Sequence, residues 1–461
     1  MNREPVVLIF DVGKTTKKAS IFDMHFHVLE EQSESFPEIT DDDEFPSDDL
    51  ARVSEWVLTK FQQYTTHEKY DVTHCNISSY GASLVHLDGL GKRIKHFYNY
   101  LKPFPENCRQ QFLSDYDSQH TLLADTASPF LGMLNSGLQL YWLKYEKKAL
   151  FQSITTSLHL PQYFTYLLTG KTFTDITSVG CHTLLWDFKR QDYHRWVDAE
   201  DFRKLFPPLY AADHVFDFKV NHQAVKIGIG VHDSSAALMP YLATQREPFL
   251  LLSSGTWNIC FNPFNHDPLT SYELAGDCLC FLTPMKKGTP VKASRIFLGH
   301  EHDQQTTALN KFFATAPDYY KSIAFNEDLY KALVSLQPGT KEFFPIAMEG
   351  TGPIPQKQSQ RTDYTQFDNF DQAYHQCIRY LVKWQLLSMN LIDPDKKIKN
   401  VIVVGGFTKN PLFLEILKRE DPHRKILISD HPRASALGAA WLVAGEASYR
   451  GKAGLLSVSG I

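Results

Sequence analysis

One pattern occurs twice in this chain, about 240 residues apart. An apolar run, Val6-Val7-Leu8-Ile9-Phe10, ends in Asp11-Val12-Gly13-Lys14-Thr15-Thr16 and restarts as Lys17-Lys18-Ala19-Ser20-Ile21-Phe22. In mid-chain, Phe249-Leu250-Leu251-Leu252 ends in Ser253-Ser254-Gly255-Thr256 and restarts as Trp257-Asn258-Ile259-Cys260-Phe261. Each reads as a strand, a tight Gly/Ser/Thr turn and a returning strand. Such a turn aims backbone N–H groups and hydroxyls into one small concavity, which suits a phosphate. One turn per half suggests a nucleotide held between two lobes.

The order of elements after each turn repeats as well. The first hairpin is followed by an expected third strand near His27 to Glu31, a helix capped by Ser47 and a strand from Val72 to Ser78. The second is followed by Cys278 to Leu282 as its third strand and a helix from about Phe370 to Leu391. Then come a strand Val401 to Val404, a helix from about Asn410, a strand Ile426 to Ser429 and a last helix through Ala434 to Val443. The expectation is a duplicated α/β fold of mixed sheets covered by helices, with domains over 1–240 and 241–461.

Composition narrows the function. A net charge of -5 carries no basic excess, which argues against nucleic acid as a partner. The 7 cysteines are odd in number, scattered and without a C-x-x-C pair, as expected of free thiols in a reducing compartment. No apolar stretch approaches the roughly 20 residues that cross a bilayer, and no charged-then-apolar leader opens the chain. The expected place is the cytoplasm, away from membranes. Asp41-Asp42-Asp43-Glu44 reads as a solvated loop, and so does the polar run His300-Glu301-His302-Asp303, whose spacing fits no zinc motif.

Gly13-Lys14-Thr15 resembles the end of a Walker A loop, but the glycine needed upstream is Leu8, inside the strand. What remains is Asp11 at a strand end beside a glycine turn. It either orients Mg²⁺ through water or is an ordinary turn aspartate. Between the hairpins, Gly228-Ile229-Gly230-Val231-His232-Asp233-Ser234-Ser235 places Asp233 where a helix begins. There it either accepts the proton of an attacking hydroxyl or caps the helix. Val401 to Val404 leads into Gly405-Gly406, where a flat ring can lie against backbone, and Asn410 can cap the next helix.

Taken together, these segments resemble the FGGY family of carbohydrate kinases in the actin-like ATPase and sugar-kinase superfamily. Asp11-Val12-Gly13-x-Thr15-Thr16 with Lys18-Ala19 looks like its first phosphate motif, and Ser253-Ser254-Gly255-Thr256-Trp257 like its second. Gly230-x-His232-Asp233-Ser234 looks like the segment with the catalytic aspartate, and Gly405-Gly406-x-x-x-Asn410 like the adenosine motif. The His-Asp and Ser-Ser-Gly-Thr-Trp segments look closest to the rhamnulokinase branch.

The resemblance implies two RNase H-like domains with five-stranded mixed sheets and a cleft between them, and MgATP-dependent phosphorylation of a sugar. Asp233 would be the base and Asp11 the metal residue. Gly13, Lys14, Thr15, Thr16, Lys18, Gly255 and Thr256 would serve the phosphates, and Gly405, Gly406 and Asn410 the nucleoside. Ser79, Ser83, Asn99, Tyr100, Lys102 and His232 would contact the sugar. Ser83 and Tyr100 stand where acidic residues are common, Lys102 where arginine is usual, and Arg433 where a glutamate often precedes the last helix. The implied acceptor is a ketose such as rhamnulose or fuculose, with a xylulose- or glycerol-type substrate as the alternative. A non-catalytic ATPase switch is the reading from another class, and a homodimer fits the resemblance.

Overall fold

The computed structural model describes residues 3–81, 83–117, 121–220, 223–285, 288–355, 359–429, 431, 433–449 and 456–460. Two compact units divide the chain. The first is Met1–Thr244 with Cys280–Pro290 and Arg433–Leu455; the second is Gln245–Leu279 with Val291–Pro432 and Leu456–Ile461.

The first unit is built on its N-terminal strand. Val6 to Phe10 are completely buried because Glu4–Val12 lies inside a sheet, antiparallel to Lys17–Asp23 and parallel to Tyr70–Ser79. The strands run in the order Val215–Val220, Gln223–Gly228, Tyr70–Ser79, Glu4–Val12, Lys17–Asp23, Val28–Glu34, and Val231–His232 also pairs with Tyr70–Ser79. Seven strands therefore stand where five were expected. Val215–Val220, Gln223–Gly228 and Val231–His232 all come from the stretch before Asp233, where no strand was expected. The helix Leu50–Thr65 buries Leu50, Val53, Trp56, Val57 and Phe61 against this sheet. Its cap is Asp49, whose carboxylate accepts the Arg52 N–H at 3.2 Å, and not Ser47, whose hydroxyl donates to the Phe97 carbonyl.

The acidic run is not simply solvated. Asp41 and Asp43 hold the Lys102 ammonium at 2.6 and 2.8 Å, and Asp42 and Asp43 pair with Lys147. The helix Ala434–Ala444 belongs to this unit and packs on Tyr70–Ser79 and on the helix Asp233–Thr244. A Cβ on Gly438 would lie 1.9 Å from the Ala236 carbonyl oxygen, so glycine is what lets the two helices cross that closely.

A second seven-stranded sheet, whose last five strands belong to the second unit, is ordered Cys278–Leu282, Pro290–Ile296, Asn258–Asn262, Phe249–Ser254, Asn400–Gly405, Lys425–Ser429, Val458–Gly460. Here too five strands were expected. The neighbour of the hairpin is Pro290–Ile296, and Cys278–Leu282 lies beyond it. Lys292 and Arg295 make that strand read as polar, but each is neutralised, Lys292 by the Glu273 carboxylate and Arg295 by Asp277 at 2.9 Å. All seven cysteines are buried, and none forms a disulfide. No helix among the described residues is long and apolar enough to cross a membrane.

The run expected as a polar loop, His300 to Asp303, is helical, within Leu298–Phe313. Glu301 is fully buried and accepts the backbone N–H groups of Ile346, Ala347 and Met348 at 3.0, 2.7 and 3.1 Å, together with the Gln305 amide at 2.6 Å. One carboxylate thus satisfies a buried loop. Glu301→Ala should cost about 3 kcal/mol or more, because several buried donors lose their acceptor at once, which urea unfolding would measure.

Candidate functional site

In the first unit the hairpin turn closes with the Gly13 N–H donating to the Thr16 carbonyl at 3.1 Å. Thr15 is exposed and Thr16 half-buried beside it. Asp11 faces Lys18 across the hairpin, and its Oδ2 accepts the Ser435 hydroxyl at 2.8 Å. Ser435 lies 424 residues away, and no sequence signal connects the two. Burial pushes the Asp11 carboxyl up to about 6, with the Asp233 charge adding to the rise and Ser435 and Lys18 opposing it. Arg433 is paired with Glu31 at 2.6 Å.

Lys14 stands in the turn but extends away from it. Its ammonium reaches Asp48 at 2.6 Å and Glu38 at 2.9 Å, while Lys17 reaches Asp48 at 3.2 Å and the Lys14 carbonyl at 2.8 Å. The Tyr80 hydroxyl donates to the same Asp48 carboxylate at 3.0 Å.

Asp233 opens the helix Asp233–Thr244, directly after the short strand Val231–His232 that pairs with Ser78 and Ser79. Its Oδ1 accepts the Ser234 N–H at 2.6 Å and the Ser234 hydroxyl at 3.2 Å. No protein donor among the described residues reaches Oδ2. Burial lifts the carboxyl to about 6, the range in which a carboxylate works as a base near neutral pH. Asp233 and Asp11 are thus electrostatic neighbours in one unit.

The expected sugar contacts divide. His232 adjoins Asp233, and Tyr100 lies within reach of the charges of Asp233, Asp48 and Lys14. Ser79 donates to the Val12 carbonyl at 3.1 Å, next to the Asp11 turn. Ser83 is buried, with its hydroxyl unpartnered among the described residues; Ala82 beside it lies outside them. Asn99 donates to the Pro46 carbonyl at 3.0 Å. Lys102 is enclosed by Asp41, Asp43 and the rings of Tyr98 and Trp142, so its ammonium is already satisfied.

In the second unit a cavity of about 510 Å³ is lined by Gly255, Thr256, Gly299, His302, Gly406 and Asn410, among others. Four of these were expected from sequence. Gly405 sits at φ +88°, and a Cβ there would lie 2.0 Å from the Ser254 carbonyl oxygen. Only glycine fits that crossing of the two strand ends. Asn410 caps the helix Pro411–Glu420 through the Phe413 N–H at 3.0 Å and donates to the Tyr374 hydroxyl at 2.8 Å, which lies 3.0 Å from His302 Nε2. Tyr374 and His302 escaped sequence reading because they come from two helices far from the glycine motif.

Two helix-flanked mixed sheets, each entered by a hairpin with a glycine turn, are the architecture of the actin-like ATPase and sugar-kinase class. Within it, the chain belongs to the FGGY family of carbohydrate kinases: the family's N-terminal domain matches residues 6–238 and its C-terminal domain residues 246–451. Over 230 residues, 48% of this chain, it is 23% identical to a rhamnulokinase of Oceanobacillus iheyensis, and the match spans 47% of that protein, about half its length. A carbohydrate kinase from Novosphingobium aromaticivorans shares the fold with a TM-score of 0.81 at 23% identity, covering 100% of this chain and 94% of that one. A ligand-bound xylulose kinase from Lactobacillus acidophilus does so with a TM-score of 0.76 at 16% identity, covering 99% and 93%.

Proposed function

We propose that the chain transfers the γ-phosphoryl group of ATP to a hydroxyl of a small carbohydrate, with Asp233 as the base. The observation that carries this is the Asp233 carboxylate itself, held through Oδ1 by Ser234, open at Oδ2 and raised to about 6 by burial. The hydroxyl proton passes to Oδ2 as its oxygen forms the new bond to phosphorus and the bond to ADP breaks. Positioning and charge stabilisation do most of the work in such a transfer.

In the second unit Gly255, Thr256, Gly406 and Asn410 would hold the nucleotide, with Gly405 shaping the turn. In the first, Gly13, Thr15, Thr16 and Lys18 are the phosphate side. Magnesium fits the donor set near Asp11, since a half-buried carboxylate beside a second carboxylate and a hydroxyl offers only oxygen. When bound, it would neutralise phosphate charge, and Asp11 would orient it.

For the acceptor, the residues favour a pentulose or polyol over a rhamnulose-type deoxyhexulose. Ser83 and Tyr100 bring no carboxylate, and Lys102 is committed to Asp41 and Asp43. A rhamnulokinase-like substrate is the second reading, supported by the partial match to the rhamnulokinase of Oceanobacillus iheyensis. ADP release from the pure protein with MgATP, measured over ketoses, aldoses and polyols, tests the proposal. Background hydrolysis with every acceptor would leave only an ATPase switch.

Lys14 belongs to the acceptor side in this reading, because its charge is spent on Glu38 and Asp48. Lys14→Thr is expected to raise the KM for the acceptor about 10-fold and leave the KM for ATP unchanged. A rise in the KM for ATP instead would make Lys14 a phosphate ligand.

A further inference from the structure

His232 is 2% exposed and lies stacked on Phe281, ring centroids 5.5 Å apart. Burial pulls its ring down to about 4, so it is neutral and carries one N–H. The position of that hydrogen follows from its neighbours. The Ser235 hydroxyl donates to the Leu282 carbonyl at 2.9 Å, which uses the only proton a serine has. Facing His232 Nδ1 at 3.4 Å, Ser235 Oγ can then only accept, so Nδ1 carries the hydrogen.

Nε2 is left with a lone pair. It lies 3.5 Å from Asp233 Oδ1, an oxygen already receiving two hydrogens from Ser234, and it makes no hydrogen bond within the described protein. A Cβ on Gly81 would lie 2.9 Å from Nε2, so any larger residue there would press on this nitrogen. An imidazole acceptor therefore stands beside the carboxylate acceptor.

We propose that His232 Nε2 reads a hydroxyl on the carbon next to the one phosphorylated, so that the acceptor is a terminal vicinal diol, with Ser235 as the positioning residue that fixes the tautomer. The inference rests on the reading of Asp233 as the base. One hydroxyl gives its proton to Asp233 Oδ2 and its oxygen to phosphorus. The neighbouring hydroxyl keeps its proton and donates it to Nε2. A ketone on that carbon would present lone pairs to a lone pair, and a methylene would leave the nitrogen unpaired, so both are disfavoured. The 5-hydroxyl of xylulose and the terminal hydroxyls of glycerol meet the requirement. The 1-hydroxyl of an open-chain 2-ketose does not.

The test gives the full chain MgATP with D-xylulose, L-rhamnulose, glycerol, dihydroxyacetone or 1,3-propanediol, and locates the phosphorylated carbon by NMR. Asp233→Asn, Ser235→Ala and His232→Phe are run beside the wild type. Xylulose is expected to yield the 5-phosphate, and glycerol to exceed dihydroxyacetone and propanediol by about 100-fold in kcat/KM. Ser235→Ala should narrow that preference at least about 10-fold at an unchanged KM for ATP, and His232→Phe, which keeps a ring on Phe281, should do the same. Phosphorylation beside a ketone carbon, or a preference that survives both variants, overturns the inference while an inactive Asp233→Asn keeps the kinase reading. If no acceptor is phosphorylated, or Asp233→Asn matches the wild type, the kinase reading fails and takes the inference with it.

Discussion

Asp233→Asn should lower kcat by about 1,000-fold while nucleotide binding and folding persist. The amide keeps an oxygen for the Ser234 N–H and hydroxyl, so the start of the helix is preserved, but it cannot accept the proton at Oδ2. Wild-type kcat/KM should fall as pH drops through about 6, the value to which burial lifts both Asp233 and Asp11. Since the Asp233 charge raises the proton affinity of Asp11, the acidic limb belongs to the pair. Stability runs the opposite way. Both carboxyls bind protons more tightly folded than unfolded, so folding is favoured below about 4, and this contribution is lost as pH rises from there through about 6. At neutral pH the asparagine variant, lacking one partly buried charge, should therefore be no less stable than the wild type. Thermal unfolding at pH 7 beside a turnover assay separates lost chemistry from lost fold, and an unfolded variant would void the assignment.

Local signals in the sequence led to the hairpins and their turns, because buried strands broken by Gly and Thr leave a contiguous trace. Gly405, Gly406 and Asn410 were legible for the same reason, and Asp233 because small residues and a helix start surround it. What stayed hidden depends on long-range pairing. The strand Pro290–Ile296 carries Lys292 and Arg295, and it becomes a sheet member only once Glu273 and Asp277 neutralise them. Glu301 looked like part of a polar loop because its partners, the N–H groups of residues 346 to 348, are backbone and leave no side-chain signature. The resemblance implied ligand contacts for Lys102 and Lys14, but the carboxylates that hold their ammonium groups, Asp41 and Asp43 for one and Asp48 and Glu38 for the other, come from elsewhere in the chain and could not be paired with them from sequence. The hydroxyl of Ser435 on Asp11 could not be foreseen from either end of the chain.

That last contact makes a glycine far from any motif consequential. Gly438→Ala should cost about 2 kcal/mol or more of stability and lower kcat disproportionately. The new Cβ would start 1.9 Å from the Ala236 carbonyl oxygen, and that atom is backbone inside a helix, so no side chain can swing aside. The helices Ala434–Ala444 and Asp233–Thr244 must separate. Ser435 travels with the first and would be drawn from Asp11, while Asp233 travels with the second. The Asn76 amide, which donates to the Ala439 carbonyl at 3.0 Å and accepts the Gly230 N–H at 3.2 Å, would transmit the shift to the strand before Asp233. A purely structural glycine would lower stability and kcat only as far as the folded fraction falls. Chemical denaturation gives that fraction, and turnover per folded molecule should still drop about 10-fold, since small displacements of positioned groups are costly in phosphoryl transfer. Ser435→Ala gives the complementary case, with the helix crossing intact and only the Asp11 hydrogen bond gone. If Gly438→Ala retained full turnover per folded molecule while Ser435→Ala lost it, Asp11 would depend on the hydroxyl alone and not on the helix crossing.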